Sequence, residues 1–132
     1  LEYQNKPAIE TFHSALKASP WCKQVLTDLG RLEYKIKQNT DTAILFLQKA
    51  IKISPAYSYA YFNLAQLYIY EHEWQKAIEV LDMLDLDKKE HELKRMTWHY
   101  HHGETADYYI NKLVTTERKT MHRIRKQAET MQ

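Results

Sequence analysis

Tyr59, Phe62, Asn63, Gln66 and Tyr70 fall on one face of a single helix. Their chemistry is recognition rather than reaction. Amide side chains can pair with a peptide backbone, and a tyrosine offers rigid contact area that is apolar on the ring and polar at the hydroxyl. A second stripe, Tyr61, Leu64, Ala65 and Tyr68, recurs on the same helix at i, i+3, i+4 and i+7. A surface helix normally has one apolar stripe and one charged side. The stretch Ile53–Tyr70 carries no charge at all. Both faces therefore need a cover, either neighbouring helices or a bound partner.

Other clusters could carry chemistry. His99, His101 and His102, with His91 nearby, invite a metal, and His99 and His102 lie one turn apart. No fixed ligand motif such as HExxH accompanies them, and a solvated helix end explains them as well. No metal or other cofactor is expected. Asp82, Asp85, Asp87 and Glu90 form an acidic turn without the spacing or glycine of a calcium loop. Arg118, Lys119, Arg123, Arg125 and Lys126 form a basic stretch on the last helix. It is the alternative binding surface, for nucleic acid or an anionic membrane, although runs of this kind also serve as solvated helix faces. Few aromatics interleave with it, which disfavours nucleic acid. Ser, His and Asp occur without the spacing or glycine-rich loop that would join them in a catalytic set, so no enzyme is expected.

The elements that position these residues follow from composition. With 132 residues the chain has room for one domain and a core, and with two Gly and three Pro it has few breakers. Helix formers abound, so the fold is expected to be all-α. The net charge of +2 does not argue for a polyanionic partner. The single cysteine, Cys22, cannot close an internal disulfide, which fits a cytoplasmic protein and leaves a periplasmic or other extracytoplasmic location open. Ile53–Tyr70 is long enough to span a bilayer, but Pro55, Asn63, Gln66, two serines and five tyrosines argue for a buried helix and no membrane span. The chain opens on Leu1 rather than Met and is expected to be cut from a longer one.

In order, Asn5 is expected to cap a first helix with Pro7 in its first turn, running to about Ala18. A second helix spans Trp21 to about Lys37. Gly30 lies inside it, where glycine costs about 1 kcal/mol against alanine, so a close helix approach is expected there. Asn39-Thr40-Asp41 forms a capped turn. The third helix ends at Ser54-Pro55, the fourth covers Ala56–Tyr70, and Glu71-His72-Glu73 turns the chain into a fifth. A charged loop is expected at Asp85–Lys89, then a helix from Glu90 to about His101 that Gly103 breaks. The last helix runs from Glu104 towards Met131, its apolar residues at mixed three- and four-residue steps.

An internal repeat underlies this series. Ala8, Ile9, Phe12, Ala15 and Pro20 align at one offset with Ala43, Ile44, Leu47, Ala50 and Pro55. A further 34 residues on, Ala43, Ile44 and Leu47 align with Ala77, Ile78 and Leu81. The clearest copy adds Tyr61, Leu64-Ala65, Tyr68 and Trp74, and the one before it Leu29-Gly30 and Tyr34. These copies resemble tetratricopeptide repeats over roughly residues 6–87. His72 departs from the usual turn glycine, Leu84 from a small residue and Lys89 from the closing proline.

The resemblance implies a right-handed α-solenoid of antiparallel helix hairpins. Residues 5–19 would be the second helix of a partial repeat, 21–55 and 56–87 two repeats, and 88–132 a degenerate repeat with a long capping helix. It implies a scaffold that binds another protein, as a peptide or partner helix, in a concave groove. Carried over, the groove positions are Tyr59, Phe62, Asn63, Gln66, Ile69 and Tyr70, joined from the preceding first helix by Arg31 beside Thr27, Asp28 and Lys35. Asn63 also stands where some members place a carboxylate-clamping Asn, but the accompanying lysines and second Asn are not evident. The open N-terminal end would allow self-association.

Overall fold

The computed structural model describes the backbone of residues 2–98 and 104–132, and the side chains of 7–97 and 106–132. Among the described residues the chain forms seven helices: α1 (Glu2–Ala18), α2 (Lys23–Lys35), α3 (Thr40–Ile53), α4 (Ser58–Tyr70), α5 (Trp74–Met83), α6 (Leu86–Trp98) and α7 (Glu104–Met131). The architecture is an all-α solenoid in which α2 pairs with α3 and α4 with α5. His99, His101, His102 and Gly103, which carried the metal reading and the expected break, lie outside the described residues.

Two boundaries differ from the sequence reading. α1 already begins at Glu2, so Asn5 is not its cap and Pro7 lies inside it. The proline has no N–H to donate one turn back, a loss that a helix tolerates best near its start. The expected loop Asp85–Lys89 shrinks to a cap and a first helical turn. Asp85 Oδ1 accepts the backbone N–H of Lys88 at 2.9 Å and so starts α6 at Leu86.

The repeat period shows in the turns. Gln38 and His72, 34 residues apart in sequence, both adopt left-handed backbone, with φ of 54° and 60°. After α4 the N–H of Glu73 reaches Tyr68 O (2.8 Å) and that of His72 reaches Ile69 O (3.0 Å), a Schellman pattern that normally holds glycine. After α2 the corresponding bond, Asn39 N to Glu33 O at 3.0 Å, spans one residue more. The earlier repeat's extra residue therefore sits in its turn, and α2 aligns with α4 in one unbroken register.

Close packing accounts for the small residues. Gly30 faces α3: a Cβ there would lie 2.7 Å from Leu47 Cγ and 3.2 Å from Ala43 O. α4 is buried on one face and only partly covered on the other, where Tyr59 and Tyr70 are exposed. Tyr61, Leu64 and Ala65 bury one stripe, Asn63 is the buried member of the other, and Ile69 and Leu67, which belong to neither, are buried as well. Burial pushes the Tyr61 phenol above its ordinary range and keeps it a donor. It bonds to Pro55 O at 2.7 Å. α1 is held on α2 in part by His13, whose Nε2 lies 3.3 Å from the buried Glu33 carboxylate.

α7 organises the C-terminal side. Ile110, Val114, Glu117, Met121, Ile124 and Ala128 follow alternating four- and three-residue steps and form its packed seam, a coiled-coil-like spacing. Arg118 pairs with Asp87 (2.6 Å) and Glu90 (2.8 Å) of α6, and Arg125 with Asp82 of α5. Gln132 reaches Gln75 at 3.4 Å. These pairs run in opposite directions along the two chains, so α7 lies antiparallel first to α6 and then to α5. Arg118 and Arg125 are two turns apart on one line of α7, which sets α5 and α6 end to end along the same side. α6 packs on α7 rather than on the α4–α5 pair. The C-terminal half of α7 therefore runs parallel to α4 and antiparallel to α5, the place and direction that the first helix of a following repeat would take.

Candidate peptide-binding groove

α2, α4 and the end of α7 enclose a groove of about 610 Å³. α4 supplies Asn63, Gln66, Ile69 and Tyr70, all four expected from sequence. α2 adds Tyr34 and Lys35 at the register that the turns define. The turn after α4 adds His72 and the start of α5 adds Trp74, whose rings meet edge to face at 5.1 Å. Gln127 and Met131 close the far wall from α7.

The groove is aromatic and amide-lined, with one lysine and no carboxylate among the described lining residues. Tyr34 and Tyr70 pack with ring centroids 6.4 Å apart. Burial raises the Tyr34 phenol above its ordinary range, Arg31 opposing this and Tyr59 adding to it. Tyr70 is 59% exposed, so most of its surface is open to a ligand. Asn63 is nearly buried, and its Nδ2 donates to Tyr59 O at 2.8 Å, which fixes the amide at the groove floor.

Three sequence candidates stand apart from this cavity. Tyr59 is partly exposed but packs its ring against Tyr57, centroids 6.1 Å apart. Phe62 packs against the core. Arg31 is half-buried, with Nη2 3.8 Å from Asp28 Oδ1 and a buried Nε that has no hydrogen-bond partner among the described residues. Thr27 is wholly buried and donates back to Lys23 O at 2.8 Å, so it belongs to packing.

Gln127 and Met131 were not legible as groove residues, because nothing local marks a residue whose role depends on α7 folding back along α5. The four-and-three spacing of α7 was the available signal for that return.

The basic stretch separates into two sets. Arg118 and Arg125 are engaged by Asp82, Asp87 and Glu90, so the acidic turn and the basic helix partly neutralise each other. Lys126 lies 3.8 Å from Glu129. Lys119 and Arg123 face outward. Lys89, the departure from the closing proline, is nearly buried with Glu117 (2.8 Å) and donates to Ser58 Oγ at 2.8 Å, tying α6 and α7 to the start of α4. Ser58 in turn donates to Glu117 Oε2 at 2.7 Å. No helix among the described residues is long and apolar enough to cross a membrane.

Residues 36–96 match the family model of the tetratricopeptide repeat. No curated protein matches the chain. The matched stretch runs from the end of α2 through α6 and includes the α4 wall of the groove together with both left-handed turns. The helix pairing, the 34-residue recurrence of those turns and the family match agree: across residues 36–96 this chain is similar to tetratricopeptide repeats.

Proposed function

We propose that the domain is a protein-interaction module that holds an extended peptide or a partner helix in the groove between α2, α4 and α7. Tetratricopeptide repeats generally mediate protein–protein interaction and are typically non-enzymatic scaffolds. The observation that carries the reading here is the lining. Exposed Tyr70 and partly exposed Trp74 give anchoring area, and Gln66 and Gln127 set amides along the same channel for a peptide backbone. Aromatic anchors in a desolvated centre dominate interfaces of this kind. Lys35 is the charged member and favours a carboxylate on the ligand.

The experiment is affinity capture from lysate with the wild-type domain and a Tyr70→Ala/Gln66→Ala variant as baits, washed at low and high salt. Partners held by the groove survive high salt and are lost from the variant, whose helical circular dichroism stays intact. A catch that ignores the variant and dissolves in salt would instead assign binding to Lys119, Arg123 and Lys126.

A further inference from the structure

The trough that seats α4 continues beyond it. α4 lies against α5 and the C-terminal half of α7, and its first residue, Ser58, marks the point where Lys89 of α6 and Glu117 of α7 converge. Because α6 extends the line of α5 along the same side of α7, the two-helix trough runs on past Ser58. The part of α7 before that point, Glu104 to Thr116, overhangs the α4 start by about 20 Å at the helical rise.

The overhang is apolar on the face that looks along this trough. On α6, the face carrying Lys89 presents Leu93 and Met96 one and two turns later. On α7, the face carrying Glu117 presents Leu113, Ile110 and Tyr109 one to two turns earlier. Ile110 is buried and Leu93 partly so, but Met96, Tyr109 and Leu113 are 61%, 63% and 47% exposed. Single exposed apolar residues need no explanation, whereas contiguous groups of them are where interaction surfaces are found, and these three share one face of the α6–α7 hairpin. A cavity of about 220 Å³ opens at the near end, between Tyr57 and Met96, with Lys23 and Glu92 on its rim.

We propose that this continuation of the trough docks one amphipathic helix of a partner protein, about three turns long and in line with α4. Continuity sets the occupant. The line of helices that seats α4 is the one that runs on here, and a single helix is what it holds where it is filled. The helix turns an i, i+3/i+4, i+7 apolar stripe onto Leu113 and Met96 and leaves its other faces polar. The site lies at the end of α4 opposite to the groove and stands independently of it.

The test uses the whole domain and a displayed library of 14-residue peptides, half with an amphipathic helical pattern and half with the same composition scrambled. The amphipathic half is expected to be enriched. The selected peptides should lose at least about tenfold in affinity on Leu113→Glu, and separately on Met96→Glu, while Tyr70→Ala leaves affinity unchanged. Both charge variants alter exposed side chains and should keep the wild-type melting temperature, and whichever keeps it gives the decisive reading. Enrichment of scrambled peptides, or binding indifferent to both substitutions, overturns the proposal. So does a wild-type dimer that Leu113→Glu dissociates, because the trough would then be filled by a second copy.

Discussion

The Tyr61 hydroxyl of α4 donates to the carbonyl oxygen of Pro55 at 2.7 Å, closing the loop that joins α3 to α4. Pro55 breaks the end of one repeat, and Tyr61 is the large aromatic of the next repeat's first helix. The bond therefore couples two positions that the repeat pattern keeps in step.

Tyr61→Phe keeps the ring in the core and removes only the donor. The expected cost is about 1 kcal/mol, a fall of roughly 3–5 °C in melting temperature for a domain of this size. Thermal unfolding followed by circular dichroism checks it. An unchanged midpoint would mean that Pro55 O finds another donor at no cost.

Gly30→Ala would place a methyl 2.7 Å from Leu47 Cγ and 3.2 Å from the Ala43 carbonyl. The gain in helix propensity of about 1 kcal/mol is outweighed by overpacking of about 1–3 kcal/mol, since a backbone oxygen forms part of the obstacle. Net destabilisation is expected in urea titration, with an unchanged slope. A stabilised variant would show that the α2–α3 spacing yields freely.

Glu90 sits beside Arg118 and Lys94, whose hydrogen bonds hold its carboxyl below the ordinary carboxylate value, Arg118 contributing most. Its folded-state value is thus lower than its unfolded one. The stabilisation is complete above the ordinary value and is lost as pH falls through the folded value. Melting temperatures at pH 7 and about pH 3 should therefore differ less in Glu90→Gln than in wild type, with the variant lower at pH 7. Parallel curves for the two proteins would remove Glu90 from the acid response.

The all-helical architecture, and the α4 residues Asn63, Gln66, Ile69 and Tyr70 that line the cavity, were legible because each rests on local spacing. The uncharged run Ile53–Tyr70 announced burial, which is complete on one side only, and Gly30 announced close approach; the nearness of the Leu47 side chain accounts for the second. Lys89 was visible as a departure from the repeat, but its reason lay in Glu117 and Ser58, far along the chain. The start of α6 was missed because charge density at Asp85–Lys89 resembles a loop, whereas one Asp85 cap is enough to begin a helix there. Tyr59 lies on the same face by spacing and is exposed, but its ring meets Tyr57 edge to face and does not line the cavity.

The placement of α7 beside both α5 and α6 also bears on how the molecule assembles. The α2–α3 and α4–α5 hairpins close over short separations in sequence and can form quickly. α7 pairs with its neighbour α6 but also gains partners from afar, Glu117 from Ser58 and Gln132 from Gln75. Its docking is thus the step with the largest loop-closure entropy. A chain of repeats ordinarily couples each unit to its neighbour alone. Here one 28-residue helix touches α4, α5 and α6 at once, so its packing couples the far wall of the groove to all three.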